Sequence, residues 1–115
     1  MRINANIGDE VWYFKFLNDD YYGRPINGVS DLRHAKIIKI YEESTYHNLI
    51  LSHYELDNGE KITDIGDQIY LSENEAIQHY NNAIKQQLKI FDEHINKLNE
   101  YRKELENKLI SERAL

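Results

Sequence analysis

Ile77, Ile84, Phe91, Leu98 and Leu105 recur at every seventh position, and Leu88, Ile95 and Leu109 occupy the alternate positions of the same seam. Steps of four and three place all of these side chains along one narrow face of an α-helix, the stripe of a coiled coil. Residues 67–115 contain neither Gly nor Pro, so the last third of the chain reads as one long helix. Such a stripe is too narrow to enclose a core by itself and calls for a second helix.

Ser72-Glu73-Asn74-Glu75 fits a capping box and starts that helix. A helix reaching residue 112 would be about 60 Å long, beyond the width of a small domain, so part of it must project. Ile84, Leu88, Phe91, Ile95, Leu98, Arg102, Leu105 and Leu109 are the expected oligomerisation residues. Arg102 takes a seam position beside Tyr101, and a polar residue there sets register or partner geometry at some cost in stability. Residues 72–115 therefore read as an oligomerisation or partner-binding helix, and a homodimer is expected.

Residues 1–71 carry a different period. In Val11–Leu17 the residues Trp12, Phe14 and Phe16 alternate with Val11, Tyr13 and Lys15, which predicts a strand with Trp12, Phe14 and Phe16 toward the core. Asn18–Gly28 is dense in Asn, Gly and Tyr and holds the single Pro of the chain, so residues 18–30 read as a long exposed insertion. Arg33–Tyr41 and Thr45–Leu56 follow as strands, the first with Ala35, Ile37 and Lys39 on one face and Lys36, Ile38 and Ile40 on the other. Asn58-Gly59 suits a tight turn into Lys61–Ile65, and Gly66-Asp67 turns again into Gln68–Leu71. Five short strands with tight later connections suit a small bent barrel, because closure removes vulnerable edges. The expected fold is α+β, a five-stranded barrel over 1–71 followed by the long helix, with Ala76, Ile77 and Tyr80 sharing its core.

The chain has no cysteine, which removes disulfides, thiolate metal sites and cysteine nucleophiles together. Neither a leader-like segment nor an apolar run long enough to cross a bilayer is evident, and a cytoplasmic location is expected. Residues 1–72 hold seven Lys/Arg against twelve Asp/Glu, whereas residues 73–115 hold seven against eight. An acidic front part repels the phosphate backbone, so nucleic acid is disfavoured as a partner and a protein with a basic surface is favoured.

Among the histidines, His34, His47, His53, His79 and His94, no two stand at the helical spacing of a metal pair. Glu75 and His79 share a helix face, but two ligands do not make a site. Asp19-Asp20 lacks the alternating oxygen ligands of a calcium loop. No Gly-x-Ser-x-Gly elbow and no Gly-rich phosphate loop occurs. No enzyme, metal or cofactor is expected. Asp19, Asp20, Tyr21, Tyr22 and Arg24 form the candidate partner-binding segment, since Tyr and Arg dominate interface hot spots; the alternative use of Tyr21 or Tyr22 is to plug the barrel.

Ile7-Gly8-Asp9-Glu10-Val11-Trp12-Tyr13, with the later Asp57-Asn58-Gly59-Glu60, resembles an SH3-like barrel of the KOW or Tudor kind. Ile69-Tyr70-Leu71-Ser72-Glu73-Asn74-Glu75-Ala76 resembles small phage and prophage proteins of low-GC Gram-positive bacteria. The resemblance implies a phage accessory protein that binds a host or phage protein, as an anti-CRISPR-type inhibitor of a nucleic-acid-handling defence enzyme does. The alternatives are an RNA- or DNA-binding regulator using Arg24, Arg33, Lys36 and Lys39, and a structural oligomerisation module.

Overall fold

The computed structural model describes residues 3–17, 28–45 and 48–110. Among the described residues seven strands precede one helix: β1 (Glu10–Phe14), β2 (Phe16–Leu17), β3 (Gly28–Val29), β4 (Arg33–Ser44), β5 (Ile50–Leu56), β6 (Lys61–Thr63), β7 (Gln68–Tyr70) and α1 (Glu73–Asn107). Five of them form an antiparallel sheet in the order β6-β5-β4-β1-β7, while β2 and β3 pair separately. Because β6 and β7 are the two outer strands yet are joined only by residues 64–67, the sheet must curl strongly to bring its edges near each other. No ladder links them among the described residues, so the expected closed barrel is an open, coiled sheet.

The concave side of that curl holds the core: Val11, Tyr13, Ala35, Ile37, Tyr54, Leu56, Ile62 and Ile69, with Ile3, Ala5 and Ile40 packed against it. The expected facing of the first strand is reversed. Val11 and Tyr13 enter the core, Trp12 is half-buried on the opposite face, and Phe16 is exposed. Phe14 is buried, but beneath α1, where it meets Tyr80 edge to face at 5.3 Å and stacks near Tyr70 at 6.1 Å. Both faces of β1 are apolar, so alternation alone cannot say which side takes the core. Lys15 interrupts the strand: its carbonyl accepts from Ser30 N–H and its own N–H donates to the Ser30 hydroxyl, and Phe16 and Leu17 continue into the small β2–β3 ribbon. The end of the expected insertion, Gly28–Val29, is therefore strand.

The facing expected along β4 also changes partway along the strand. The register with β5 slips between Ile37 and Lys39, a β-bulge at Ile38. One extra residue inverts the facing that follows, so Lys39 is exposed and Ile40 turns toward the core opposite Tyr54. The strand expected from Thr45 starts instead at Ile50. Thr45 and Leu49 close a turn in which Asn48 adopts φ 61°.

The hairpin expected at Asn58-Gly59 is present, but of the two residues only Gly59 takes the positive φ expected of the pair. Gly59 N–H donates to the Leu56 carbonyl and Leu56 N–H to the Glu60 carbonyl, with Gly59 at φ 86°. This is a type I turn closed by a left-handed glycine. After β7, Ser72 is the helix N-cap, its hydroxyl accepting from Glu75 N–H at 3.4 Å. The Glu75 carboxylate lies 4.0 Å from His79 rather than returning to the cap. Ala76 and Ala83 are the buried residues of α1, small enough to let the helix lie close on β1 and β7, while Ile77 is 40% exposed.

Candidate functional site

Past Gln87 every described residue of α1 is exposed. The head covers the first turns through Ala76, Tyr80 and Ala83, and then the helix leaves it. The free segment from Leu88 to Asn107 extends about 30 Å, giving a radius of gyration of 21.8 Å and a longest dimension of 76 Å, against about 13 Å for a compact chain of similar length. The helix is continuous across Asn96 and Asn99, so the arm does not fold back on itself.

Along this arm Leu88, Phe91, Ile95, Leu98 and Leu105 are between 41% and 58% exposed, and Leu109 beyond the helix end is 80% exposed. Ile84, at the root of the stripe, is partly buried. The structure thus brings the expected oligomerisation residues into one line and covers none of them past Ile84. Arg102 stands in that line, its guanidinium Nε donating to the Glu106 carboxylate one turn on at 3.1 Å. An isolated apolar strip of this extent is unusual on a monomeric surface.

The expected partner-binding residues Asp19, Asp20, Tyr21, Tyr22 and Arg24 lie outside the described residues, as does His47. Of the remaining histidines, three are engaged in ring stacks: His34 on Trp12, His53 on Tyr41 and His79 on Tyr70. His53 also bonds Glu43 at 2.8 Å. Among the described residues no group of three potential metal ligands occurs.

A second feature was not legible in the pattern of the chain. Glu60, at the end of the β5–β6 turn, accepts hydrogen bonds from the Tyr13 hydroxyl and from Arg33. Asn58 donates to the same Tyr13 hydroxyl at 2.9 Å and takes the Glu60 amide on its side-chain carbonyl at 3.0 Å. The hairpin tip is thereby tied to β1 and β4. Beside it a cleft of about 330 Å³ is lined by Tyr13, Lys15, Arg33, Glu60, Lys61 and Asp67, among others. Its charges are mixed, with Arg33 engaged by Glu60 and Lys15 lying 3.7 Å from Asp67. Only the turn sequence Asn58-Gly59 hinted that Glu60 would be held in place.

At the root of the arm, burial and then the neighbouring Glu75 carboxylate push the Tyr70 phenol above its ordinary value. The phenol stays protonated, consistent with its place between Phe14 and His79.

No known protein family, curated protein or solved structure matches this chain. Among the described residues no helix is long and apolar enough to cross a membrane.

Proposed function

We propose that this chain is a non-enzymatic protein-binding accessory protein that self-associates through its helical arm and offers its acidic head to a basic surface on a partner. The observation that carries the reading is the uncovered seam from Leu88 to Leu105 on a continuous helix that the head does not reach. Full burial of such an aliphatic or aromatic side chain contributes roughly 1.5–3 kcal/mol; these are already about half covered along their own helix, so two paired arms gain on the order of 10 kcal/mol gross to set against the cost of association. In this reading the arm is a coiled-coil element and the curled sheet an SH3-like barrel that stops short of closure.

The partner end rests on charge. A head with seven Lys/Arg against twelve Asp/Glu over residues 1–72 complements a basic channel of the kind that holds nucleic acid. An anti-CRISPR-type inhibitor acting in the cytoplasm is one such protein, and the resemblance to phage proteins points the same way. A nucleic-acid-binding regulator fits less well, because Arg33, one of the four cations it would use, is paired with Glu60.

Sedimentation velocity tests the arm. The wild-type chain is expected to run as a dimer, and Leu98→Asp with Leu105→Asp as a monomer with an unchanged near-ultraviolet spectrum of the head. A monomeric wild type at high micromolar concentration overturns the reading. Nucleic-acid affinity that falls steeply with added salt would replace the basic-protein partner by the regulator.

A further inference from the structure

We propose that the second copy of this chain lies antiparallel along the arm, in the register that sets Leu88 against the partner's Leu105. This rests on the reading of the arm as a self-association surface and adds its orientation. With seam steps of four and three, that register also places Ile95 against the partner's Leu98 and Arg102 against the partner's Phe91.

Arg102 decides first. In a parallel pair, equivalent seam positions share a layer, so two Arg102 guanidiniums would meet at one level of the seam, each with its own Glu106 but with no attractive group across the interface. In the antiparallel pair the two kinds of seam position alternate across the interface, and each Arg102 lies over an aromatic ring, an arrangement that attracts a guanidinium. The in-chain contact to Glu106 holds the Arg102 head at the rim of the seam, where it can reach that ring while keeping its carboxylate.

The flanking positions agree. Antiparallel pairing brings Lys85 beside the partner's Glu106, and the two-fold axis repeats that opposite-charge contact at the other end. Parallel pairing would instead set Gln87 beside the partner's Asp92, His94 beside the partner's Asn99 and Tyr101 beside the partner's Glu106. None of those is an ion pair.

Length and head charge supply the third argument. The axis of the proposed register falls between Asn96 and Lys97, which brings the helix end at Asn107 level with the partner's Gln86. Gln87 is the last residue of α1 that the head partly covers, so the arms overlap along their whole free length and stop where the opposite head begins. The two acidic heads then sit at opposite ends of the rod, whereas a parallel pair holds them side by side and repelling.

The absence of cysteine from the chain makes the test direct. Leu88→Cys and Leu105→Cys are prepared separately, one carrying a size tag, and oxidised alone and as an equimolar mixture. Facing seam positions lie within disulfide reach, whereas two copies of residue 88 are about 25 Å apart in the antiparallel rod. The expected result is a mixed disulfide in the mixture and its loss in either variant alone. Lys85→Cys with Glu106→Cys, bridged by a short bismaleimide, repeats the measurement with the apolar seam intact should the first pair weaken association. Cross-linking of Leu88→Cys to itself would overturn the antiparallel orientation while leaving self-association standing. A monomeric wild type in sedimentation would overturn both.

Discussion

Trp12 and His34 face each other across β1 and β4 with ring centroids 4.6 Å apart and planes within 9°. The stack lies on the face of the sheet turned away from the main core, so the single tryptophan of the chain is a cross-strand partner and not a core anchor. An aromatic pair of this kind contributes about 0.5–1.5 kcal/mol beyond its area, while truncating a fully buried aliphatic costs about 2–5 kcal/mol. Trp12→Ala should therefore leave a folded head with a modestly lowered denaturation midpoint, and Ile37→Ala, at a residue with no exposed surface, should lower it much further. Urea titrations of the two variants followed by circular dichroism check the order; the reverse order would return Trp12 to the core.

Removing Glu60 should cost more than its half-exposed position suggests. Glu60→Ala leaves the part-buried Tyr13 hydroxyl with Asn58 as a donor but without its acceptor, and frees Arg33. Loss of a hydrogen-bond partner at a buried group costs about 1–3 kcal/mol. Tyr13→Phe together with Glu60→Ala should be milder than the sum of the single changes, because the orphaned hydroxyl is gone. A double-mutant cycle in urea measures that coupling.

Gly59 should resist any side chain for reasons of backbone alone. Its φ of 86° is left-handed, yet a Cβ built there meets nothing within 4 Å. Gly59→Ala is expected to destabilise by about 1–2 kcal/mol, the penalty of that conformation for an L-residue. Gly66→Ala, with φ outside that region and the Thr63 hydroxyl 3.1 Å from the added carbon, tests a local clash instead. Thermal melts of both variants separate the two causes.

Stability at high pH should depend on Tyr70. Burial, reinforced by Glu75, raises its phenol above the ordinary value of about 10. The folded chain keeps this proton where the unfolded chain has released it, so the contribution is complete below about pH 10 and declines as pH rises through the folded-state value. Tyr70→Phe should flatten that part of the alkaline loss relative to wild type, and Glu75→Gln should flatten it less. Denaturation midpoints across the alkaline range, compared pairwise with wild type, give the answer.

Dilution should melt the arm before the head. Most of the stability of a protein helix comes from packing of its apolar face, and in this reading the face of Leu88–Asn107 packs on a second chain. Far-ultraviolet ellipticity at the helix bands should fall as concentration is lowered, with Trp12 fluorescence constant. A concentration-independent helix signal would show that the arm is stable alone.

What the chain settles by itself is local. Ser72 as helix cap, the left-handed Gly59 after Asn58, the unbroken helix and the alignment of Leu88, Phe91, Ile95, Leu98 and Leu105 all follow from contacts within a few residues, where backbone conformation and helical period act without reference to the rest of the fold. The candidate site was legible for the same reason, since a seam is a one-dimensional pattern. Three features depended on parts of the chain far apart in sequence. Period two showed that β1 has alternate faces, but both were apolar, and only the packing of α1 against Phe14 left Val11 and Tyr13 for the concave core. The bulge at Ile38 inverted the facing of Lys39 and Ile40 because β5 must stay in register on both sides of it. Glu60 became the tie between hairpin and sheet only once the curl of the sheet brought Tyr13 and Arg33 over the turn. Alternation specifies which residues share a face; the number of surfaces competing for that face, and the closeness of strands distant in sequence, are properties of the folded sheet.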